Sequence, residues 1–180
     1  GKYIFAGNPA GALSAIGCLD AHTGVALPPM SAPFPTGTDG LDAVNVTPVT
    51  TMVQSIVAAD TSGGTVAAIL AAAETTTRTA LGLAGTADTN ADPVEVGGAL
   101  ATAAAKIVAV AKVATAADPT ATDPIAALAV VVEANKATAT NTLDEVVADA
   151  TLMQGVVSAT VAGDVAIISA VIAEAVNTAV

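Results

Sequence analysis

Between Thr47 and Val180 the chain has no His, Cys, Trp, Tyr or Phe. Those residues supply most nucleophiles, proton shuttles, transition-metal ligands and stacking platforms, so their absence removes most enzyme chemistry from that stretch. Positive charge is scarce as well. Five basic side chains face sixteen acidic ones, for a net charge of −11. Lys2, Arg78, Lys106, Lys112 and Lys136 are dispersed and form no basic patch. Nucleic-acid binding needs clustered cations to displace counterions, so it is excluded as a function class. Cys18 is the only cysteine, which rules out an internal disulfide; it reads as a small buried thiol in preference to an intermolecular bridge. Long uninterrupted apolar runs are missing too. The best stretch, 98–117, carries Lys106 and Lys112, and 156–176 is broken by Gly163-Asp164 and carries Glu174. A spanning helix needs about 20 largely apolar residues, so no membrane span is expected. The sequence begins at Gly1, without leader or initiator Met, as expected of a processed mature form or a piece of a longer polypeptide.

What is present is alanine, about a quarter of the 180 residues, with Val, Thr, Leu and Ile. The apolar fraction is 53% and the mean hydropathy +0.71, but only 2% is aromatic. Each buried alanine removes little area from water, so such a core depends on many close, small contacts. Packing against partner subunits is one way to add burial. An acidic, Lys-poor, Thr-rich composition also suits the outside of a cell.

Composition changes near residue 46. Tyr3, Phe5 and Phe34 all precede it, as do Pro9, Pro28, Pro29, Pro33 and Pro35. Lys2-Tyr3-Ile4-Phe5-Ala6 reads as a short strand, and 13–19 as a second strand or extended piece. The Gly-, Pro- and Asp-rich 20–45 should be irregular. Such an arm is too small to be stable alone and must dock on its own helices or on another subunit. From Thr47 the punctuation is helical. Thr47-Pro48 opens helix one, to about Ala59; helix two runs from about Thr65 to Leu81. Asp92-Pro93, with Glu95 completing a capping box, opens helix three to about Thr115. Asp123-Pro124 opens helix four, ending near Ala137. Thr142 and Glu145 form a second capping box, for helix five to about Ala162, and Gly163-Asp164 restarts helix six over 165–177. Leu100, Ala104, Ile107 and Ala111 make a core stripe, as do Leu143, Val146 and Val147. Helix six is apolar almost all round and therefore central or interfacial. The expected fold is mainly α. It is a five- to six-helix antiparallel bundle (47–180) with an extended N-terminal arm (1–46) carrying one or two short β-strands.

Three segments have a familiar arrangement. Asp20-Ala21-His22-Thr23-Gly24 precedes Ala32-Pro33; Thr47-Pro48-Val49-Thr50-Thr51 follows; Leu81-Gly82-Leu83 then precedes Asp92-Pro93. The pattern, over 17–93, resembles a helical module of large bacterial secreted and surface proteins. There it follows Ig-like, cadherin-like or carboxypeptidase-regulatory-like β-domains. The resemblance implies an extracellular, non-catalytic helical module beside β-structure. It departs in one respect: no complete β-sandwich precedes the motif.

Few constellations can carry chemistry. Asp88, Asn90 and Asp92 have the alternating oxygen spacing of a calcium loop, but Pro93 and Ala99 stand where an EF-hand needs Gly and a bidentate Glu. They are weak calcium candidates and read first as a polar loop capping helix three. Asp39 and Asp42 with Asp20 form a second, similarly weak oxygen-site candidate. His22 lacks partner ligands, Ser14 lacks a triad, and no glycine loop is followed by Lys-Ser/Thr. Thr75 to Thr79 reads as a solvated helix face. Asn45-Val46-Thr47 is a glycan acceptor disfavoured by Pro48. The expectation is a non-enzymatic structural protein without cofactors, secreted or displayed at the cell surface, a subunit of a filament or similar assembly. Its partners are copies of itself, with other cell-surface proteins as further candidates. The expected assembly contacts are Tyr3, Ile4 and Phe5 in the arm and Ile168, Val171 and Ile172 in helix six. The alternative is a binding module of a large adhesin, with calcium as its stabiliser.

Overall fold

The computed structural model describes residues 2–4, 11–19, 24, 26–33, 43–118, 122–138 and 142–157. Phe5, Asp20, His22, Asp39, Asp42, Ile168, Val171, Ile172 and the whole of expected helix six lie outside the described residues. The described chain is mainly helical, with short strands near its N-terminus.

Four strands occur where one or two were expected: β1 (Lys2–Ile4), β2 (Ala12–Ala15), β3 (Met30–Pro33) and β4 (Ala43–Asn45). They make two antiparallel pairs, β1 with β4 and β2 with β3, in the registers Tyr3 to Val44 and Ser14 to Ser31. The expectation that 20–45 is irregular is thus corrected. The prolines there do not forbid strands, because Pro33 ends β3, a position where its missing N–H costs little. Tertiary hydrogen bonds do the rest. The Ser31 N–H donates to Thr51 Oγ1 at 2.9 Å, and Thr50 Oγ1 donates to the Asn45 carbonyl at 2.9 Å. Both threonines lie on the first turns of α1 (Pro48–Ala59), so this part of the arm docks on the chain's own helix. Ala32, Val44 and Val46 form a small satellite core there.

Thr47 caps α1 as its sequence promised. Its hydroxyl accepts from the Thr50 N–H while the Thr50 hydroxyl accepts from the Thr47 N–H, a reciprocal pair built from two threonines. Val49, Met52, Val53 and Ile56 recur at helical spacing and are buried. Helix α2 (Val66–Ala80) is capped by Thr65 and buries only Ala73, Thr77 and Ala80. Thr77 is fully buried, so the expectation of a solvated threonine face holds for exposed Thr75 and Thr79 but fails one residue group inward.

The third expected helix is two helices. α3 (Pro93–Val96) ends at Gly97, and α4 (Gly98–Ala117) starts afresh. Gly97 and Gly98 have φ of 66° and 57°, a left-handed conformation that glycine reaches without steric cost. The Glu95 capping box does not form; the Asp92 side chain accepts instead from the Val94 N–H. α4 buries Leu100, Ala103, Ala104, Ile107, Val110, Ala111 and Ala114, including the whole expected stripe. By length and composition alone it is long and apolar enough to cross a membrane.

α5 (Pro124–Asn135) is capped by Asp123 and buries Ile125, Leu128, Ala129 and Val132. The expected fifth helix is shorter and interrupted. α6 (Leu143–Ala148) carries the Thr142–Glu145 capping box, and α7 (Ala150–Met153) begins immediately after Asp149. Asp149 stops the first helix because its carboxylate serves as the cap of the second, accepting from the Thr151 and Leu152 N–H groups. One core joins α1, α2, α4, α5, α6 and α7, with Met52, Ile107, Ile125, Leu128, Leu143 and Met153 fully enclosed. Each such side chain contributes about 1.5–3 kcal/mol relative to exposure.

Candidate functional site

The calcium candidates lie in the loop between α2 and α3, where their oxygens are already engaged. Asp88 Oδ1 accepts from the Asn90 N–H at 2.9 Å, and Asp92 Oδ1 accepts from Val94 at 2.8 Å. Asn90 instead faces β4. Its Oδ1 accepts from the Asn45 N–H at 3.0 Å, and its carbonyl accepts from Asn45 Nδ2 at 2.6 Å. Asp88 and Asp92 therefore serve local bonds while Asn90 makes a tertiary one, and the loop works as a clamp on the arm. Among the described residues no group of three or more His, Cys, Asp or Glu side chains is placed to hold a metal ion. The same clamp buries Asn45, so the amide of the glycan acceptor is turned into the protein.

The expected arm contacts are described at the level of backbone: Tyr3 and Ile4 stand in β1, opposite Val44 and Ala43. Other apolar groups are directly visible at the surface. Beyond the end of β2, Ile16 is 79% and Leu19 64% exposed; Cys18 between them is half-buried. β2 pairs only with β3 among the described residues.

A second apolar surface was not foreseen. Along α4 runs an open furrow of about 620 Å³. One wall is Leu27, Met30 and Val46, another Pro93 and Val94, and the floor is the stripe Ala101, Ala104, Ala105, Val108, Ala109 and Lys112. A smaller hollow of about 410 Å³ continues it past Thr115 and Ala116 to Pro124, sharing Leu27 and Lys112. Val94, at the rim, is 91% exposed. The sequence signal for this face exists: the floor residues recur at i, i+3, i+4 and i+7. It was masked because the adjacent Leu100–Ala111 stripe has larger side chains.

Charge at the furrow is sparse. Arg78 pairs with Glu74, Lys106 with Asp144 and Lys136 with Glu133. Lys112 is exposed and makes no ion pair among the described residues. Among the described residues one carboxyl is held below the usual aspartate range: Asp60, beyond α1, which accepts from the Ser62 hydroxyl and then from the Ser62 N–H. The furrow is lined mainly by alanine, valine, leucine and proline, with Lys112 and Asp92 as its charged side chains, a composition suited to binding an apolar surface. Comparison with protein-family models, curated proteins and solved structures gives no match.

Proposed function

We propose that this chain is a non-catalytic, extracellular structural subunit that packs against copies of itself in a cell-surface filament or similar assembly. The observation that carries the reading is the β2 edge. A two-stranded pair is marginal in water, and among the described residues the far edge of β2 has no strand partner, beside exposed Ile16 and Leu19. A strand from a neighbouring subunit would satisfy those groups and cover that surface. The β2 edge and the α4 furrow are different surfaces, and contacts between unlike surfaces propagate into open chains when the rotation does not close. The bundle arrangement belongs to this reading. Its support is the central position of α1, which touches α2, α4 and α5. The absence of a membrane span also belongs to it, supported by the face of α4 that packs into protein.

Deleting residues 1–16 tests the proposal. It removes β1 and β2 but keeps Ser31, Thr50 and Thr51, which hold β3 to α1. The expected result is a helical circular-dichroism spectrum with loss of polymer by sedimentation and electron microscopy. Normal assembly of the truncated chain would refute the arm's role.

A further inference from the structure

We infer that the furrow along α4 seats a second copy of the chain in a two-fold pair, with Asp92 of each copy against Lys112 of the other; this rests on the assembly reading above and gives its furrow contact a geometry. The charges carry the argument. Asp92 and Lys112 are the two charged side chains that line the furrow. They have opposite signs and stand at opposite ends. Asp92 caps α3, just before α4 begins at Gly98. Lys112 lies near the far end of α4, about 21 Å from Gly98 along the axis at 1.5 Å per residue. The second hollow continues past Lys112 and includes no residue of α3. Among the described residues the two side chains do not pair with each other, and Arg78, Lys106 and Lys136 are already engaged within the chain. A two-fold axis across the middle of the furrow runs the two α4 helices in opposite directions. Each Asp92 then comes to the end that holds the other copy's Lys112, and one operation makes the contact twice. Copies of a chain of net charge −11 repel in most orientations, so the approach that sets two carboxylates on two cations is selected over the others.

Shape and size agree. Val94, two residues after Asp92, is almost wholly exposed at the rim. Ala105 and Ala109 on the floor leave room for a branched side chain from another copy. The opposed directions set each α3 rim into the other copy's furrow, so the walls interlock instead of meeting edge to edge. Fourteen residues line the furrow and ten the second hollow, with Leu27 and Lys112 in both. That extent matches the roughly 20–30 residues per side of a stable protein interface. A two-fold contact closes at two copies, so growth beyond the pair falls to the β2 edge.

Mixing two full-length variants tests this. One chain carries Cys18→Ser with Val94→Cys, the other Cys18→Ser with Ala109→Cys, and the mixture is oxidised under assembly conditions. A disulfide-linked heterodimer in excess of either homodimer is expected. Charge variants give a second readout, by sedimentation. Lys112→Glu should weaken association about tenfold, because it sets carboxylates against each other at both contacts. Asp92→Asn removes the charge but keeps a side chain able to cap α3. Alone it should weaken association by a smaller factor; added to Lys112→Glu it should restore part of the loss. A double variant weaker than Lys112→Glu alone would overturn the pairing. Material that polymerises without an excess of heterodimer would discard this seat and leave the assembly reading standing. Dimers that cross-link but never polymerise would keep the seat and discard the filament. A monomer that neither links nor polymerises at high concentration would discard both.

Discussion

Helices α1 and α2 are built from nearly the same palette of Ala, Val, Thr, Leu and Ile, yet one is central and the other peripheral. α1 buries six of its twelve residues; α2 buries three of its fifteen. Both have a helical stripe. In α1 it is Val49, Met52, Val53 and Ile56, while in α2 it is Ala73, Thr77 and Ala80. The size of the side chains on the stripe makes the difference. Four large apolar groups give α1 several neighbours to pack against, whereas two alanines and a threonine let α2 lie close to the core without filling much of it.

Substitutions on the two helices can break that contrast. Met52→Ala opens a cavity at a fully enclosed site and should cost about 2–5 kcal/mol in urea-unfolding free energy. Leu70→Ala on α2, where the side chain is only half-buried, should cost clearly less. Equal losses would mean that α2 contributes as much as α1. Thr77→Val sharpens the comparison from the other side. Among the described residues the Thr77 hydroxyl is buried without a hydrogen-bond partner, so an isosteric apolar replacement removes a desolvation penalty. A gain on the order of 1 kcal/mol is expected, and a loss would show that the hydroxyl has a partner. The smallest effect lies between the helices. Ser62→Ala removes the stronger of the two bonds that lower the Asp60 pKa and leaves the Ser62 N–H, so an NMR titration should find the Asp60 pKa raised part of the way to its ordinary value. The folded-state pKa is depressed, so the contribution of this carboxylate is complete above the unfolded-state value and lost as pH falls through the folded one. In the variant the contribution is smaller and its loss is complete at higher pH. An unchanged titration would assign the shift to other groups.

Much of the helical plan was legible because its signals are local. Thr47, Asp92, Asp123 and Thr142 each cap a helix at the position read for them. The core stripe of α4 was legible from spacing alone. Three features were not. Gly97 was read through as helix because an isolated glycine pair is tolerated there on propensity. Asp149 was read as an interior residue because its value as a cap depends on the chain turning at that point. Strands β3 and β4 were missed because what orders them is Thr50, Thr51 and Asn90, residues 20 or more positions away in two cases. The furrow, the larger part of the candidate site, needed two elements distant in sequence to form its walls.

By itself the sequence determined that the described chain after residue 46 is mainly helical, that its core is made of small aliphatic groups, and where the helix caps stand. These follow from propensity, spacing and hydrogen bonds within a few residues. Only the tertiary structure decided that part of the arm lies on α1, that the Asp88–Asp92 loop clamps β4, and that one face of α4 floors a furrow. Those outcomes depend on which surfaces meet, and a chain whose commonest side chain is a methyl group carries too little shape in any one residue to announce them.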